Sequence, residues 1–120
     1  MLEDPLMIES RTRDGVFILD LMGDVTTFAN DKILRAYNAV TADGARRILL
    51  NFRQNDYINS AGIAILINVI NDVNEHAQRL AVSGLSPHFQ KIFRMVGLTQ
   101  FIQIYQTEDE AVVGLLAAEL

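Results

Sequence analysis

Residues 46–77 read RRILLNFRQNDYINSAGIAILINVINDVNEHA, and this stretch decides the fold. The apolar run Ile48-Leu49-Leu50 within Arg46–Phe52 is continuous, which is typical of a strand buried in a parallel sheet. A polar loop, Arg53–Asn59, follows it. Apolar residues then recur at helical spacing to about Ala77, and a pattern of that length is too long for an average strand. It therefore predicts a helix.

The inward face of this helix is predicted from residues that recur at i, i+4 and i+7. These residues are Ile63, Ile67 and Ile70, with Leu66, Val69 and Val73 widening the apolar stripe. We therefore expect a well-buried helix with Ile67 in the core. An aspartate at position 67 is expected to unfold the domain, because an unpaired charge in a core is costly.

The segment before this stretch predicts a hairpin and a helix. Two short apolar runs, Leu6–Arg11 and Val16–Met22, flank Arg13-Asp14-Gly15. Asp-Gly between such runs indicates two antiparallel strands joined by a tight turn. Apolar residues then recur at helical spacing from about Phe28 to Asp43, and Gly44 is the expected end of that helix.

The segment after it continues the alternation. Its predicted elements are a strand at Leu80–Val82 ended by Gly84, a helix begun by Ser86-Pro87 and stopped by Gly97, a strand at Phe101–Tyr105, and a last helix opened by a capping box at Thr107–Glu110. The residues expected to face the core are Phe89, Ile92, Phe93 and Val96 on the first helix, and Val112, Leu115 and Leu116 on the second. Phe28 and Met95 are candidates for exposed contacts.

The predicted order is therefore β-β-α-β-α-β-α-β-α, within a single domain at residues 1–120. Strands that alternate with helices indicate right-handed crossovers and a parallel sheet. We expect the α/β class, with one mixed sheet of about five strands, an opening antiparallel hairpin and about four helices. A thinly covered face of such a sheet would be open to a partner.

Composition excludes several function classes. Ten basic residues against fifteen acidic ones give a net charge of −5, which argues against a nucleic-acid partner. The chain has no cysteine and only two histidines, so thiolate and multi-histidine metal sites are not expected. No apolar stretch approaches the roughly 20 residues that span a bilayer, and no signal peptide is evident. We expect a cytoplasmic protein without membrane insertion, which is a monomer when it is free of its partner.

The loop before the buried helix carries the candidate site. Ser60 lies at the entry of the helix, where unpaired amides and a partial positive charge tolerate a phosphate group. Such a group would add about −1.5 to −2 charges at neutral pH. The alternative interpretation is that Ser60 is simply an N-cap, since serine is among the commonest caps, and that Gly62 only permits close packing.

Residues Asn51 to Leu66 resemble the signature of the STAS domain, as found in the bacterial anti-sigma-factor antagonists. That family reads approximately Asp-Leu-Ser-x-Val-x-Phe-Met-Asp-Ser-Ser-Gly-Leu at this place. Here Tyr57-Ile58 matches the aromatic-aliphatic pair, Asn59 the last aspartate, Ser60 the phosphorylated serine, Ala61 the second hydroxyl residue and Gly62 the glycine. Further matches are Gly23-Asp24-Val25, Ser83-Gly84-Leu85, Phe93, Gly97-Leu98 and Phe101, so the resemblance runs from about Leu6 to Ala118.

The resemblance implies a regulatory protein that switches partners, without catalytic activity or a cofactor. In that family the unphosphorylated antagonist binds an anti-sigma factor that is also a serine kinase, and so frees a sigma factor. The kinase phosphorylates the serine, the complex falls apart, and a serine/threonine phosphatase restores the antagonist. The residues carried over to this chain are Ser60 as the phosphoacceptor and Asp24, Thr26, Asp56, Tyr57, Asn59, Ala61 and Gly62 as partner-binding residues.

Departures from the family pattern keep a second interpretation open. Asn51 and Asn59 occupy positions where the family has aspartates. Thr26 occupies a position where the family often has a further aspartate, and Ala61 occupies the position of a hydroxyl residue. The alternative is a non-phosphorylated scaffold, or an accessory subunit of a transporter or signalling complex. Phosphorylation of Ser60 separates these two interpretations.

A small enzyme is the third interpretation. The carboxylates that could converge as a cation site are Asp20, Asp24 and Asp56, but loop carboxylates are more often solvated. A receiver domain would need its phosphoacceptor aspartate where Asn51 stands. The sequence has no Gly-x-Ser-x-Gly motif, P-loop or dinucleotide-binding glycine motif. These observations argue against catalysis.

Overall fold

The computed structural model describes residues 6–117, and it confirms the predicted order of strands and helices. The strands are β1 Met7–Arg13, β2 Val16–Met22, β3 Arg47–Asn51, β4 Arg79–Ser83 and β5 Gln103–Tyr105. The helices are α1 Asn30–Ala42, α2 Ser60–Glu75, α3 Pro87–Met95 and α4 Glu108–Ala117, with 3-10 turns at Thr27–Ala29 and Leu98–Gln100. The ends of the predicted domain, residues 1–5 and 118–120, lie outside the described residues, as does Ala118 at the end of the resemblance.

The strands form one mixed sheet in the order β1-β2-β3-β4-β5, as expected. β1 pairs with β2 antiparallel, and the later pairings are parallel. The hairpin closes through Asp14 and Gly15, whose φ angles of 53° and 84° are both left-handed. A type I′ turn requires this geometry at both central positions, which explains why Asp-Gly connects the two strands.

Three helices pack on one face of the sheet, and α4 packs on the other. Successive side chains of a strand point to opposite faces. Ile48 and Leu50 of β3 therefore join the larger apolar cluster beneath α1, α2 and α3, whereas Leu49 joins the smaller cluster beneath α4. The carboxyl ends of β2, β3 and β4 meet at one edge of the sheet, and the loops at that edge carry the candidate site.

Two predicted helix starts are confirmed by capping hydrogen bonds. The Oγ of Ser86 accepts a hydrogen bond from the Phe89 amide at 3.3 Å, and Pro87 is the first residue of α3. At α4, the Oγ1 of Thr107 accepts from the Glu110 amide, and the Glu110 carboxylate accepts from the Thr107 amide, both at 3.2 Å. These bonds satisfy amides that have no partner within their own helices.

The predicted inward face of α2 is confirmed at Leu66, Val69, Ile70 and Val73 and is wrong at Ile67. Ile67 is 39% exposed rather than buried. The residues that α2 buries are Gly62, Ile65, Leu66, Val69, Ile70 and Val73. Apolar residues cover more of the surface of α2 than one stripe, so spacing alone leaves the rotation of the helix open. The structure sets that rotation by turning Gly62 towards the backbone of Val25.

Some predicted boundaries and core positions also differ. α1 begins at Asn30, because residues 27–29 form a 3-10 turn, and β5 begins at Gln103 rather than at Phe101. The residues that are more exposed than the pattern predicted are Val96 at 50%, Phe101 at 62% and Leu116 at 37%. Val96 is the last residue before Gly97, whose left-handed φ of 85° ends the helix and turns the chain away. Leu116 is exposed because α4 packs against the sheet on one side only.

Candidate functional site

Ser60 is the first residue of α2, and it is exposed at the carboxyl edge of the sheet. The N-cap is Asn59, whose side-chain oxygen accepts a hydrogen bond from the Gly62 amide at 2.8 Å. The interpretation of Ser60 as the cap is therefore wrong. Its hydroxyl group makes no hydrogen bond to any residue in the range 6–117. The hydroxyl is thus available to a partner or to a modifying enzyme.

Asn59 performs the capping role that an aspartate performs equally well. Asparagine and aspartate rank together at N-cap positions, since either side chain offers an oxygen to the first free amides. The difference is that Asn59 adds no negative charge beside Ser60. The departure at this position therefore changes the electrostatics around the serine and keeps the local backbone.

Backbone hydrogen bonds join the loop after β2 to the loop after β3. The Val25 amide donates to the Tyr57 carbonyl at 2.9 Å, and the Asn59 amide donates to the Val25 carbonyl at 3.2 Å. The side chain of Asn55 donates to the carbonyls of Gly23 and Tyr57 at 2.7 and 3.0 Å. These bonds hold the segment with Asp24 and Thr26 beside the segment that leads into Ser60.

Gly62 is required by close packing at this junction. A Cβ atom at position 62 would lie 2.2 Å from the carbonyl oxygen of Val25 and 3.0 Å from the side chain of Ile58. Both neighbours are themselves buried, so neither can move without disturbing the core. The structure supports the packing role for Gly62, and its backbone lies beneath the exposed surface.

The exposed surface around Ser60 combines carboxylates with aromatic rings. Asp24 and Asp56 are exposed, while Thr26 and Ala61 are half-buried. Tyr57 is 51% exposed, and its ring meets the buried ring of Phe89 edge to face with centroids 6.4 Å apart. Phe28, in the adjoining 3-10 turn, is 77% exposed. Of the eight predicted site residues, the structure therefore brings seven to the surface of one pair of loops and buries Gly62.

A second set of polar residues lies behind these loops, on the sheet face that α4 covers. The side-chain nitrogen of Asn51 donates to the Asp20 carboxylate at 2.8 Å, and the side-chain oxygen of Asn51 accepts from the Arg53 backbone amide at 3.1 Å. Arg11 holds Asp20 with two bonds, at 2.7 and 3.0 Å. These bonds to Arg11, and the one to Asn51, lower the pKa of Asp20.

Asn51 is therefore matched to its neighbour on the adjacent strand. Asp20 and Asn51 are partners in the register of β2 and β3. An aspartate at position 51 would bring two carboxylates within hydrogen-bond distance. Asp20 therefore requires a hydrogen-bond donor at position 51, and the side-chain amide of Asn51 supplies it. The contact between Asp20 and Asn51 depends on the register of two strands that a helix separates in the chain. It therefore cannot be predicted from residue spacing along the sequence.

The same network reaches α4. Arg11 donates two hydrogen bonds to Glu108, and Arg13 binds Glu108 at 2.8 Å and Asp109 at 2.7 Å. Hydrogen bonds from Arg11, and then from Arg13, hold the pKa of Glu108 at about 2. Beside the network lies a polar depression of about 510 Å³, whose lining includes Asn51, Arg53 and Glu108. Sequence reasoning missed this cluster, because its members come from distant parts of the chain.

The three aspartates considered as a cation site do not converge. Asp20 is engaged by Arg11, whereas Asp24 and Asp56 lie exposed in the loops. Within residues 6–117, no three histidine, aspartate or glutamate side chains are grouped to hold a metal ion. His76 ends α2 at the pole opposite Ser60, with its ring bonded to the Tyr37 hydroxyl at 3.0 Å. None of the helices in this range is long and apolar enough to cross a membrane.

Sequence comparison identifies the family of the chain. A family model described as the STAS domain matches residues 7–111. BtrV of Bordetella bronchiseptica is 29% identical over 106 residues, which cover 88% of this chain and 90% of that protein. The anti-sigma-B factor antagonist of Staphylococcus aureus is 23% identical over 106 residues, which cover 88% of this chain and 98% of that protein.

Solved structures share the fold. An anti-sigma factor antagonist from Mycobacterium paratuberculosis superposes with a TM-score of 0.81 at 20% identity, covering 95% of this chain and 98% of that one. The phosphorylated form of the Bacillus protein SpoIIAA gives 0.67 at 22% identity, covering 90% and 96%. A sulfate transporter family protein from Wolinella succinogenes gives 0.77 at 17% identity, covering 92% and 93%. At these identities the likeness shows the fold alone.

Proposed function

The chain belongs to the STAS domain family, and we propose that it is an anti-sigma-factor antagonist whose binding to an anti-sigma serine kinase is controlled by phosphorylation of Ser60. The observation that carries this proposal is the exposed hydroxyl of Ser60 at the start of α2, which makes no hydrogen bond within residues 6–117. The name of the relative from Staphylococcus aureus supports it, since that protein is an anti-sigma-B factor antagonist. The protein acts by binding and has no catalytic activity of its own.

The unphosphorylated surface offers a partner both apolar and polar contacts. Tyr57 and Phe28 present exposed rings, and aromatic side chains are the anchors that contribute most to protein interfaces. Asp24 and Asp56 flank them with negative charge, which suits basic groups on the partner. Thr26, Asn59 and Ala61 are half-buried and add contacts between these groups. The partner is an anti-sigma factor that covers Ser60 when it binds.

Phosphorylation breaks the interface because of the charge it adds. A phosphate group on Ser60 contributes about −1.5 to −2 charges near neutral pH, beside the carboxylates of Asp24 and Asp56. A dianion within an interface must lose its water, and that cost is not recovered unless the partner supplies matching cations. A loss of about 3 kcal/mol weakens binding roughly 150-fold. The fold itself tolerates the group, because the first turn of α2 carries free amides. A serine/threonine phosphatase resets the switch.

A scaffold or accessory role is the alternative function. The departures at Asn59 and Ala61 favour it, and STAS-fold structures include a protein of the sulfate transporter family. In that role, Ser60 is not modified and the bound partner is constant. The two functions therefore differ in the response of the partner to a charge at position 60.

The test uses four immobilised baits in lysate of the source organism: the wild type, Ser60→Ala, Ser60→Asp and Gln103→Glu. Gln103→Glu adds the same single charge at an exposed position of β5, away from the site. We expect a serine kinase to be held by the wild type, Ser60→Ala and Gln103→Glu, and to be lost from Ser60→Asp. Mass spectrometry identifies the captured protein, and also phosphate on Ser60 after incubation with ATP. A partner held equally by all four baits, with Ser60 unmodified, would replace the switch with the scaffold role.

A further inference from the structure

Within residues 6–117, β1 is a regular edge strand of seven residues, and no other strand pairs with its outer edge. An unpaired edge of this length is a template for another strand. Edges are usually blunted by proline, by bulges or by free charges, and β1 has neither proline nor bulge. Its arginines are neutralised within the molecule, because Arg11 and Arg13 bind carboxylates of β2 and α4. The edge β5, by contrast, has three residues.

The hairpin determines which backbone groups face outward. In a hairpin with a two-residue loop, the flanking residues form a hydrogen-bonded pair, and such pairs alternate with non-bonded pairs along the strands. Arg13 and Val16 are the flanking pair. The inward-bonded residues of β1 are therefore Met7, Glu9, Arg11 and Arg13, and the amides and carbonyls of Ile8, Ser10 and Thr12 point to the free edge.

We propose that two copies of this chain pair through β1, antiparallel about a two-fold axis at Ser10, to form one continuous ten-stranded sheet. In this register Ser10 faces Ser10 of the second copy, and Ile8 faces Thr12. All the outward groups of β1 are then used, in about six backbone hydrogen bonds. In this register, even-numbered residues face even-numbered residues and odd-numbered residues face odd-numbered ones. The side chains that share a face of the sheet in one copy therefore continue on the same face in the second copy.

Charge selects this register over its neighbours. With Ser10 on the axis, Glu9 lies opposite Arg11 of the second copy, in a non-bonded pair whose side chains are close. A shift of two residues in one direction sets Glu9 opposite Glu9, and a shift in the other sets Arg11 opposite Arg11. Like charges directly opposite each other destabilise a pair of strands. The second shift also sets Glu9 opposite Arg13, but it retains the pair of facing Arg11 side chains. Of these three registers, only the proposed one joins opposite charges without setting like charges opposite each other.

Both side chains are able to make this contact. Glu9 has no ion pair or hydrogen bond with residues 6–117, and it lies in register with the like-charged Asp20. Arg11 uses Nε, Nη1 and both hydrogens of Nη2 on Asp20 and Glu108. A guanidinium carries five N–H donors, so one donor on Nη1 is left for a further carboxylate. The dimer pairs it with Glu9 of the second copy.

The ends of the shared ladder are complementary as well. The register carries Asp14 of the second copy past Met7 towards Leu6. Lys32 and Arg35 line a shallow depression there with Leu6 and Met7. Lys32 is already in place, because its Nζ donates to the Leu6 carbonyl at 2.7 Å. The turn of one copy therefore brings a carboxylate to two cations of the other.

A single introduced thiol tests the register, because the chain contains no cysteine. Ser10→Cys places two thiols on the axis, where Cα atoms of a bonded pair are about 5.5 Å apart, within the range of a disulfide. Thr12→Cys is the matched control, since its two copies are separated by four residues, or about 14 Å. Under mild oxidation we expect Ser10→Cys to form a disulfide dimer at least about tenfold faster than Thr12→Cys. Equal rates would overturn the proposed register.

A backbone variant tests the pairing itself. Ser10→Pro removes an outward amide, which costs the β1–β2 ladder nothing, whereas Ser10→Ala keeps it. By sedimentation equilibrium, we expect the wild type and Ser10→Ala to dimerise below about 1 mM and Ser10→Pro to remain a monomer. Thermal melts establish that both variants fold. A monomeric wild type, or a folded Ser10→Pro that still dimerises, would refute the proposal. Ser60→Asp should still dimerise, so the dimer and the switch at Ser60 are tested separately.

Discussion

The two faces of the sheet are stabilised in different ways. Beneath α1, α2 and α3 lies the larger apolar cluster, with Phe52 and Phe93 among its fully buried side chains. Beneath α4 the apolar cluster is small, and the start of that helix is fastened by ion pairs from Arg11 and Arg13. Burial of apolar area is non-directional, whereas an ion pair requires its partners at set positions. The first face thus tolerates exchange among apolar residues, and the second depends on particular side chains.

The largest expected effect contrasts two residues of α2. Val69 is 1% exposed and Ile67 is 39% exposed. We expect Val69→Asp to lower the free energy of unfolding by more than about 4 kcal/mol, because it buries an unpaired charge. Ile67→Asp should cost less than about 1 kcal/mol, since its carboxylate reaches water. Urea denaturation measures both values. An Ile67→Asp variant as damaged as Val69→Asp would show that the orientation of α2 is wrong.

An intermediate effect is expected at Asn51, on the face that α4 covers. Asn51→Asp sets a second carboxylate against Asp20, and we expect it to cost about 2 kcal/mol at pH 7. Asn59→Asp is the matched control: it makes the same chemical change at the α2 cap and should be nearly neutral. Repulsion raises the pKa of one carboxyl of the pair in the folded state. The loss in the free energy of unfolding of Asn51→Asp relative to the wild type should therefore shrink as the pH falls through that raised pKa, because protonation of one carboxylate removes the repulsion.

Urea denaturation of Asn51→Asp and Asn59→Asp between pH 4 and pH 8 measures this difference. The range is set by the ordinary pKa of aspartate, about 3.9, and by the values above it. Equal stability of the two variants at pH 7 would mean that the bond between Asn51 and Asp20 does not constrain position 51.

The smallest expected effect is at Glu108. Its folded pKa of about 2 lies below the value of 4.5 for an ordinary glutamate, so its stabilising contribution is present above pH 4.5 and is lost as the pH falls towards 2. Since the pair is partly open to solvent, we expect Glu108→Gln to cost about 1 kcal/mol at pH 7 and low salt. High salt should reduce that cost.

Comparison of unfolding curves at several pH values isolates this contribution. The difference between the wild type and Glu108→Gln should disappear in acid, whereas Glu75→Gln, an exposed change at the end of α2, should alter little at any pH. A difference that persists below pH 2 would place the role of Glu108 in packing rather than in charge.

Local signals were sufficient for much of the fold. Asp14-Gly15 predicted the hairpin, and Thr107 with Glu110 predicted the start of α4, because a turn or a cap is formed by residues that are neighbours in the chain. The resemblance around Ser60 predicted the family. Ile67 was wrongly placed in the core, since the apolar surface of α2 is too broad for spacing to fix every buried position. The cap was assigned to Ser60 instead of Asn59, because either residue type can fill that position.

The sequence by itself determined the fold class, the order of strands and helices, and the position of Ser60 at the start of a buried helix. These follow from periodicity, turn residues and caps, which act over a few residues. Only the tertiary structure decided that Asn51 donates to Asp20, that Arg11 joins β2 to α4, and that β1 lies at the edge of the sheet formed by residues 6–117. Those features depend on which distant residues the sheet places in register. No local interaction encodes that choice, because it is made when the whole core packs.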